Sequence, residues 1–145
     1  MRNVPGQQDV PLAPAVRDRR LFEIESRVIR ELASRRSAVV IGRGGSFVLR
    51  DHRGLLRVFL HSQPEARAPR VQKAYGLPSK EAALAMIERV DRERGRFIQC
   101  MTGRDLSDAS NYDLSIDTGS ICFEAAEEIV LRLLAEVRER LAGLG

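Results

Sequence analysis

One stretch, Ser37–His61, constrains the fold of this chain more than any other. It contains two short runs of Val, Ile and Leu, Ala38–Ile41 and Leu56–Leu60, separated by a glycine-rich turn. Continuous apolar runs of this length are typical of strands covered on both faces, and such strands belong to parallel sheets flanked by helices. The stretch therefore predicts an α/β fold with three layers, in which helices flank a mostly parallel sheet.

The turn after the first predicted strand is a candidate anion-binding site. Its sequence is Gly42-Arg43-Gly44-Gly45, and it follows the carboxyl end of the strand, where α/β sheets bind their ligands. Glycines allow backbone N–H groups to approach a ligand closely. Arginine binds phosphate through two parallel hydrogen bonds, so Arg43 is the first candidate for a phosphate contact.

The rest of the chain is organised around this stretch as one domain, residues 17–145, behind a loose leader of residues 1–16 that is rich in proline. Apolar spacing and capping residues predict the remaining elements. These are a helix over Asp18–Arg35, a helix that starts at Pro64 and breaks near Pro69, a helix over Ser79–Met101, a strand over Tyr112–Ile116 that ends at Asp117-Thr118, and a helix over Cys122–Leu141.

The helix over Ser79–Met101 carries a charged face. At 100° per residue, one side of this helix collects Arg89, Arg92, Glu93 and Arg96. Such a face can be solvated and crossed by ion pairs, or it can bind an anion, because its arginines outnumber their carboxylate. Arg94 points toward the apolar side instead, so it requires a buried carboxylate or a route to the surface.

Composition limits the partners that this chain can bind. The net charge is +4 and only 5% of residues are aromatic, while Lys73 and Lys80 are the only lysines. Basicity supplied by arginine with few aromatic residues favours phosphate binding over stacking on single-stranded nucleic acid, although it also serves solubility. A nucleic-acid partner would rest on arginine content alone, so it is not expected.

Two further features exclude other classes. Cys100 and Cys122 match no metal-ligand spacing, so we predict no metal site in the protein itself and a reduced, cytoplasmic chain. No apolar stretch approaches the length of a membrane span, so a membrane partner is not expected.

Four segments, in order, resemble the cytidylate kinase-like family of nucleoside monophosphate kinases. They are AVVIGRGGSFVLRD, RVFLHSQPEARAPRV, IERVDRERGRF and YDLSIDTGSICFEAAEEIV. The resemblance covers residues 20–135, most of the chain. The resemblance implies a P-loop-type nucleotide kinase fold. It also implies transfer of the γ-phosphoryl group of ATP, which carries Mg²⁺, to a nucleoside monophosphate such as CMP.

The resemblance assigns a role to each candidate residue. Arg43, with its neighbouring glycines, would hold the phosphate of the acceptor. Arg67 and Arg70 would begin a mobile lid and contact the donor or the transferring phosphoryl group. Closure of such a lid excludes water, which competes with the acceptor.

The remaining assignments fall on the second half of the chain. Arg89, Arg92 and Arg96 would reach the transferring group from the far side of the lid, and Glu93 would orient one of them. The turn at Asp117-Thr118 would lie near the donor nucleotide. Phosphoryl transfer depends mainly on positioning and on positive charge around the transferring group, which suits a set of arginines.

The sequence departs from the family pattern in one important respect. These kinases open with a strand followed by G-x-x-G-x-G-K-[ST], whose amides and lysine bind the donor phosphates, and this sequence contains no such motif. We therefore expect a partial fold without the first strand and P-loop, and impaired turnover. A missing central strand would leave a hole in the sheet, let the two strands of the opening stretch pair directly, or be replaced by another chain, in a homodimer or with a partner.

Two other functions remain to be compared with the kinase. One is a non-catalytic nucleotide- or phosphate-binding or oligomerising module that descends from such a kinase. The other is a dinucleotide-binding unit, but its fingerprint requires glycine at the sixth position of the turn, where this chain has Phe47.

Overall fold

The structure, a computed structural model, describes residues 14–143, with side chains from residue 18 onward. The elements in chain order are α1 (Pro14–Arg35), α2 (Gly45–Val48), β1 (Val58–His61), α3 (Pro64–Tyr75), α4 (Lys80–Thr102), a 3₁₀ helix (Ala109–Asn111), β2 (Leu114–Asp117) and α5 (Phe123–Ala142). The chain divides into two compact units, one up to Gly45 and one from Ser46 onward. The predicted leader lies outside the described residues except for residues 14–16, which begin α1.

The first unit contains α1 and the glycine-rich turn. Helix α1 ends at Arg35, as predicted, but it begins at Pro14 rather than near Asp18. Helical spacing predicts an apolar stripe of five residues on α1, and of these Ile29 is buried. The other four are between 38% and 51% exposed: Leu21, Ile24, Val28 and Leu32. The stripe is therefore mostly exposed.

The predicted first strand, Ala38–Ile41, is wrong for this structure, because these residues have no strand conformation. The side chains of Val39 and Ile41 are 90% and 88% exposed. A strand persists only when a neighbour accepts and donates the hydrogen bonds of its ladder. The described residues include no strand that pairs with this segment.

The second unit contains a parallel sheet in which β1 pairs with β2. The register runs from Val58 opposite Leu114 to His61 opposite Asp117, so both strands begin two residues later than predicted. The predicted parallel sheet is thus confirmed for two strands, and the described part of the chain supplies no third strand. The direct pairing considered for the two strands of the opening stretch does not occur.

Helices α3 and α4 form a hairpin between the two strands. Their contact is made by Ala68, which is fully buried, with Ala83 and Ile87, both buried, and this cluster is the packed core between the two helices. The predicted break at Pro69 is wrong, because α3 continues from Pro64 to Tyr75. A proline within a helix removes one N–H donor and displaces one carbonyl group, and the packing of Ala68 next to it offsets that cost.

The residues at the ends of α4 and α5 differ in how they cap the helices. Ser79 caps α4 by accepting a hydrogen bond from the N–H of Ala82 at 3.2 Å, and Gly103 ends the helix in a left-handed conformation. Cys122 precedes α5 without a side-chain capping bond, as expected for a cysteine. Arg94 is exposed, so it takes the predicted route to the surface.

None of the described helices combines the length and the apolar character needed to cross a membrane.

Candidate functional site

The loop after β2 is fastened to the carboxyl end of β1. The backbone N–H of Thr118 donates to the carbonyl oxygen of His61 at 2.8 Å. The hydroxyl of Thr118 donates to the same oxygen at 3.1 Å. Both strands therefore end at one edge of the sheet, the edge at which parallel sheets bind ligands.

Asp117, the last residue of β2, is fixed by its own loop. Its carboxylate accepts a hydrogen bond from the backbone N–H of Gly119 at 2.8 Å and another from the hydroxyl of Ser120 at 2.8 Å. These bonds, with the Gly119 bond as the main cause, lower the pKa of Asp117 below its usual value. Asp117 is therefore a charged group held in one orientation at the strand end.

The same loop closely approaches the start of α3. A Cβ atom built on Gly119 would lie 2.6 Å from the Oγ of Ser62 and 3.3 Å from the Cβ of Ala66, so no larger residue fits there without a shift. Ser62 is 8% exposed, and its Oγ has no hydrogen-bond partner. The loop and the first turn of α3 are thus in van der Waals contact.

One turn further along α3, Arg70 reaches the start of α5. Its guanidinium carbon lies 4.8 Å from the ring centroid of Phe123, a cation–π geometry. Three of the predicted site residues, Arg70, Asp117 and Thr118, therefore lie around the carboxyl edge of the sheet. We call this group, with Ser62 and Gly119, the rim.

Arg67 faces α4 instead. It binds the carboxylate of Asp91 through two hydrogen bonds, one from Nη1 to Oδ1 at 3.1 Å and one from Nη2 to Oδ2. The hydrogen bond to Asp91 raises the pKa of Arg67 against the opposing effect of burial. The pair therefore fastens α3 to α4 beside the rim.

Sequence analysis did not single out Asp91, although a signal was present. Asp91 follows Ile87 by one helical turn and lies on the side of α4 that carries the buried Ile87 and Ile98. A carboxylate on that side requires a cationic partner, and Arg67 is the partner that the structure provides.

The charged face of α4 makes its ion pairs within the helix. An oxygen of Glu93 lies 3.6 Å from a nitrogen of Arg89, and an oxygen of Glu88 lies 2.6 Å from a nitrogen of Arg92. All four side chains are more than half exposed. At 100° per residue, Arg89 and Arg96 project from the side of α4 opposite Asp91, so the described structure does not bring them to Arg67.

Arg43 lies in the first unit, in a turn of three consecutive left-handed residues. Its φ is 50°, between Gly42 and Gly44, each at 68°, and a non-glycine residue adopts this region only at some cost in energy. The side chain of Arg43 binds Glu25. Its Nη2 donates to Oε1 and Oε2 of Glu25 at 2.7 and 2.6 Å, and its Nε donates to Oε2 at 3.1 Å. Gly45 is required sterically, because an added Cβ would lie 2.6 Å from Val40 Cγ1.

The described residues contain no group of three or more His, Cys, Asp or Glu side chains that could hold a metal ion. Mg²⁺ that accompanies a nucleotide needs fewer protein ligands, because phosphate oxygens and water fill most of its coordination sphere. The single fixed carboxylate of Asp117 at the rim fits that mode of binding.

The geometry defines a helix-rich α/β protein with a parallel strand pair. The sequence profile of the Cytidylate kinase-like family, Cytidylate_kin2, matches residues 6–120. The chain therefore belongs to the cytidylate kinase-like family, as its motifs predicted.

Curated relatives share this family. The chain is 29% identical over 113 residues to the cytidylate kinase of Sulfurisphaera tokodaii, a match that covers 75% of this chain and 62% of the relative. It is 29% identical to the cytidylate kinase of Pyrococcus abyssi over 82% of this chain and 64% of the relative. It is 34% identical to that of Thermococcus kodakarensis over 77% of this chain and 54% of the relative. The chain thus spans between half and two thirds of the length of these relatives.

A solved structure shares the fold. The crystal structure of an uncharacterized protein from Eubacterium ventriosum superposes with a TM-score of 0.76 at 21% identity, covering 81% of this chain and 74% of the other. At this identity the likeness concerns the fold alone, and it supports the α/β architecture of the described elements.

Proposed function

We propose that this chain is the acceptor-binding and lid portion of a nucleoside monophosphate kinase, and that it binds a monophosphate such as CMP. The observation that carries the proposal is the rim. In a member of the cytidylate kinase-like family, the loop of Asp117 and Thr118 is fastened to His61, and Arg70 lies beside it at Phe123. A cation and a fixed turn at the carboxyl edge of a parallel sheet are suited to binding a nucleotide.

Within this proposal Arg43 holds the acceptor phosphate. Its left-handed turn supplies backbone N–H groups from Gly42 and Gly44. The N–H of Gly45 closes the turn by donating to the carbonyl oxygen of Gly42 at 3.1 Å. Glu25 holds the guanidinium in place through a bidentate contact. A phosphate then competes with a half-exposed ion pair, in which the Arg43 side chain is 52% exposed, and not with a buried one.

The arginines of the α3–α4 hairpin act in the proposed lid. Arg67, fastened to Asp91, and Arg70 lie at the start of the hairpin. Arg89, Arg92 and Arg96, with Glu93, would supply positive charge from the outer side of α4. Because Arg89 and Arg92 pair only with exposed acids on their own helix, those pairs cost little to exchange for a phosphoryl group.

The donor would be ATP with Mg²⁺, as the cytidylate kinase relatives suggest. The motif G-x-x-G-x-G-K-[ST], which binds donor phosphates in such kinases, does not occur in this sequence. We therefore propose that the chain by itself has impaired turnover. The second candidate function, a non-catalytic phosphate-binding or oligomerising module, is favoured by the same absence.

Titration calorimetry with CMP and with ATP, separately, tests the proposal. We expect CMP to bind, and the substitution Arg43→Ala to weaken CMP binding by about tenfold or more, because a charge-assisted hydrogen bond contributes about 1.5–3 kcal/mol. The matched control is Arg27→Ala, which removes the same side chain from an exposed position on α1. Equal CMP affinity in the two variants would remove Arg43 from the site.

A coupled assay of ATP-dependent CMP phosphorylation separates the two candidate functions. Turnover above the blank that Arg70→Ala abolishes would support a kinase. CMP binding without turnover would support the non-catalytic phosphate-binding module. Absence of CMP binding would contradict both the kinase and the phosphate-binding module.

We also propose that another chain covers the exposed segment of the first unit, as a second copy or a partner. Val39 and Ile41 are almost fully exposed, and exposed apolar segments of β-branched residues promote association.

We propose a cytoplasmic location for the protein, because Cys100 and Cys122 are both free cysteines and free cysteines are typical of a reducing compartment.

A further inference from the structure

The second unit contains a polar cavity that the proposed kinase function does not use. Its volume is about 230 Å³. The cavity is lined by Ser46, Phe47, Arg50, Asp51, Arg57, Arg104 and Asn111. Three of these seven residues are arginines, which come from three separate segments of the chain.

The cavity lies at the end of the sheet opposite the rim. Arg57 immediately precedes the first residue of β1, and Asn111 lies shortly before β2. The last residues of the same strands are His61, next to Ser62 of the rim, and the rim residue Asp117. In a parallel pair the amino ends share one edge and the carboxyl ends share the other, so the cavity is distinct from the rim.

Arg57 is fixed by Asp113. Its backbone N–H, Nε and Nη2 donate to that carboxylate at 2.8, 3.1 and 2.7 Å. These bonds lower the pKa of Asp113 and raise that of Arg57. The two charges largely neutralise each other, and the guanidinium is held rigidly at the wall of the cavity.

Arg104 is held by a neutral group. Its Nη1 donates to Oδ1 of Asn111 at 2.9 Å, while Nδ2 of Asn111 donates to the carbonyl oxygen of Asp105 at 2.7 Å. Asn111 is 4% exposed, so its amide is fixed and orients the guanidinium without cancelling its charge. This arrangement leaves most of the donors of Arg104 for another acceptor.

Arg50 adds a second cation with weak compensation. Its contact with Asp51 is 3.4 Å long, and the Asp51 side chain is 88% exposed. Two carboxylates close to Arg104 in the chain have other partners. Asp105 accepts hydrogen bonds from Ser107, and Asp108 accepts one from Ser110. The bonds with Ser110, and to a smaller extent the charge of Arg104, lower the pKa of Asp108. The lining itself contains three guanidinium groups and one carboxylate, with Asp113 behind Arg57, so positive charge is in excess.

We infer that this cavity binds a small phosphate-bearing anion, through Arg50 and Arg104 with Arg57 as a fixed wall. Arginine is the preferred partner of phosphate because its planar donors match two oxygens. A volume of about 230 Å³ is below that of pockets for drug-sized ligands, which begin at about 300 Å³. It therefore suits inorganic phosphate or a small phosphate monoester better than a nucleoside triphosphate.

The test is titration calorimetry of the full chain at low ionic strength, with inorganic phosphate in one arm and glycerol phosphate in the other. We expect saturable binding of at least one of these probes. Arg50→Gln and Arg104→Gln should each weaken it by about tenfold or more, from the loss of a charge-assisted bond. Arg138→Gln, which removes the same charge from an exposed position on α5, is the matched control and should change the affinity less than twofold.

The two arms identify the source of the phosphate, since the probe that binds more tightly shows whether the cavity accepts an ester. Arg50 is more than half exposed, so Arg50→Gln tests the site even if Arg104→Gln disturbs folding. Absence of binding by both probes, equal effects in Arg50→Gln and Arg138→Gln, or loss of binding in Arg43→Ala alone would overturn the inference. Arg50→Gln should leave CMP binding in place and Arg43→Ala should leave phosphate binding in place, so failure of this site is distinguishable from failure of the proposed kinase function, on which the inference does not rest.

Discussion

At the scale of single residues, close approaches decide which side chains are possible at the rim. Gly119 has no left-handed φ in this structure, so its requirement for glycine is steric and not conformational. A Cβ atom at this position would come too close to Ser62, to Ala66 and to the carboxylate of Asp117. Sequence inspection treats this glycine as an ordinary turn residue, because the groups that crowd it come from another segment.

We expect Gly119→Ala to lower the free energy of unfolding by about 1–3 kcal/mol, as other overpacking substitutions do. The added Cβ would lie 2.6 Å from Ser62 Oγ and 3.1 Å from Asp117 Oδ1. Urea denaturation measures the change. The matched control is Gly95→Ala, where an added Cβ meets nothing within 4 Å in the interior of α4, and it should raise stability by about 0.5–1 kcal/mol. Equal stabilisation by both substitutions would contradict the crowding.

The Arg57–Asp113 pair predicts a pH dependence. The hydrogen bond from Arg57 lowers the pKa of Asp113 below its usual value of 3.8, so the folded state binds its proton more weakly than the unfolded chain does. The stabilisation is therefore complete above the unfolded pKa and is lost as pH falls through the folded pKa.

Asp113→Asn should reveal this contribution in unfolding measurements at pH 7, 5 and 3. We expect wild type to be more stable than the variant at pH 7 and 5, and the difference to shrink below about pH 4. Asp51→Asn, at a side chain that is 88% exposed, is the control and should have little effect at any of these pH values. A difference that stays constant down to pH 3 would rule out the proposed linkage.

At the scale of elements, the α3–α4 hairpin is held by apolar packing and by one cross-helix ion pair. The core of Ala68, Ala83 and Ile87 sets the contact, and Arg67 with Asp91 fastens it at the side. Pro69 is tolerated within α3 because tertiary packing outweighs local propensity, which is the usual outcome when the two conflict. The apolar spacing of α4 predicted that helix well, from its Ser79 cap onward.

A double-mutant cycle with Arg67→Ala and Asp91→Ala should give a coupling energy of about 1–2 kcal/mol, because the Arg67 side chain is only 25% exposed and its bonds to Asp91 are charge-assisted. The control cycle, Arg92→Ala with Glu88→Ala, concerns an exposed pair within one helix and should give about 0.3–0.5 kcal/mol. Denaturation of the four variants in each cycle provides the measurement. Equal coupling in the two cycles would mean that Arg67 and Asp91 do not fasten the hairpin.

At the scale of the whole molecule, several apolar side chains are exposed. Val39 and Ile41 in the first unit, and Leu60 on β1, are all more than half exposed. Such residues are ordinarily buried, and Leu60 lies on a strand that pairs on one side only within the described sheet. We expect these surfaces to take part in the proposed association.

Sedimentation velocity at increasing protein concentration tests that expectation. The wild-type chain should sediment faster as concentration rises, and the double substitution Val39→Lys with Ile41→Lys should reduce the effect, because charge at an exposed edge opposes pairing. The control Ser37→Lys with Ala135→Lys adds the same charge at exposed positions without removing a large apolar side chain. A wild-type chain that remains a monodisperse monomer at high concentration would contradict the proposal.

The sequence alone determined the features that depend on local periodicity and on motif. The helices α1, α4 and α5, the Ser79 cap and a strand predicted over Leu56–Leu60, which lies at Val58–His61, follow from residues that are near one another in the chain. The family membership follows from four motifs in order along the chain. Tertiary structure alone decided the features that depend on distant partners. Ala38–Ile41 has strand-forming residues but no strand to pair with in the described sheet. The ion pairs of Arg67 with Asp91 and of Arg43 with Glu25 also depend on the fold. A charged side chain pairs with an opposite charge that the fold brings within a few ångströms, and the spacing of two residues along the chain does not determine the distance between their side chains.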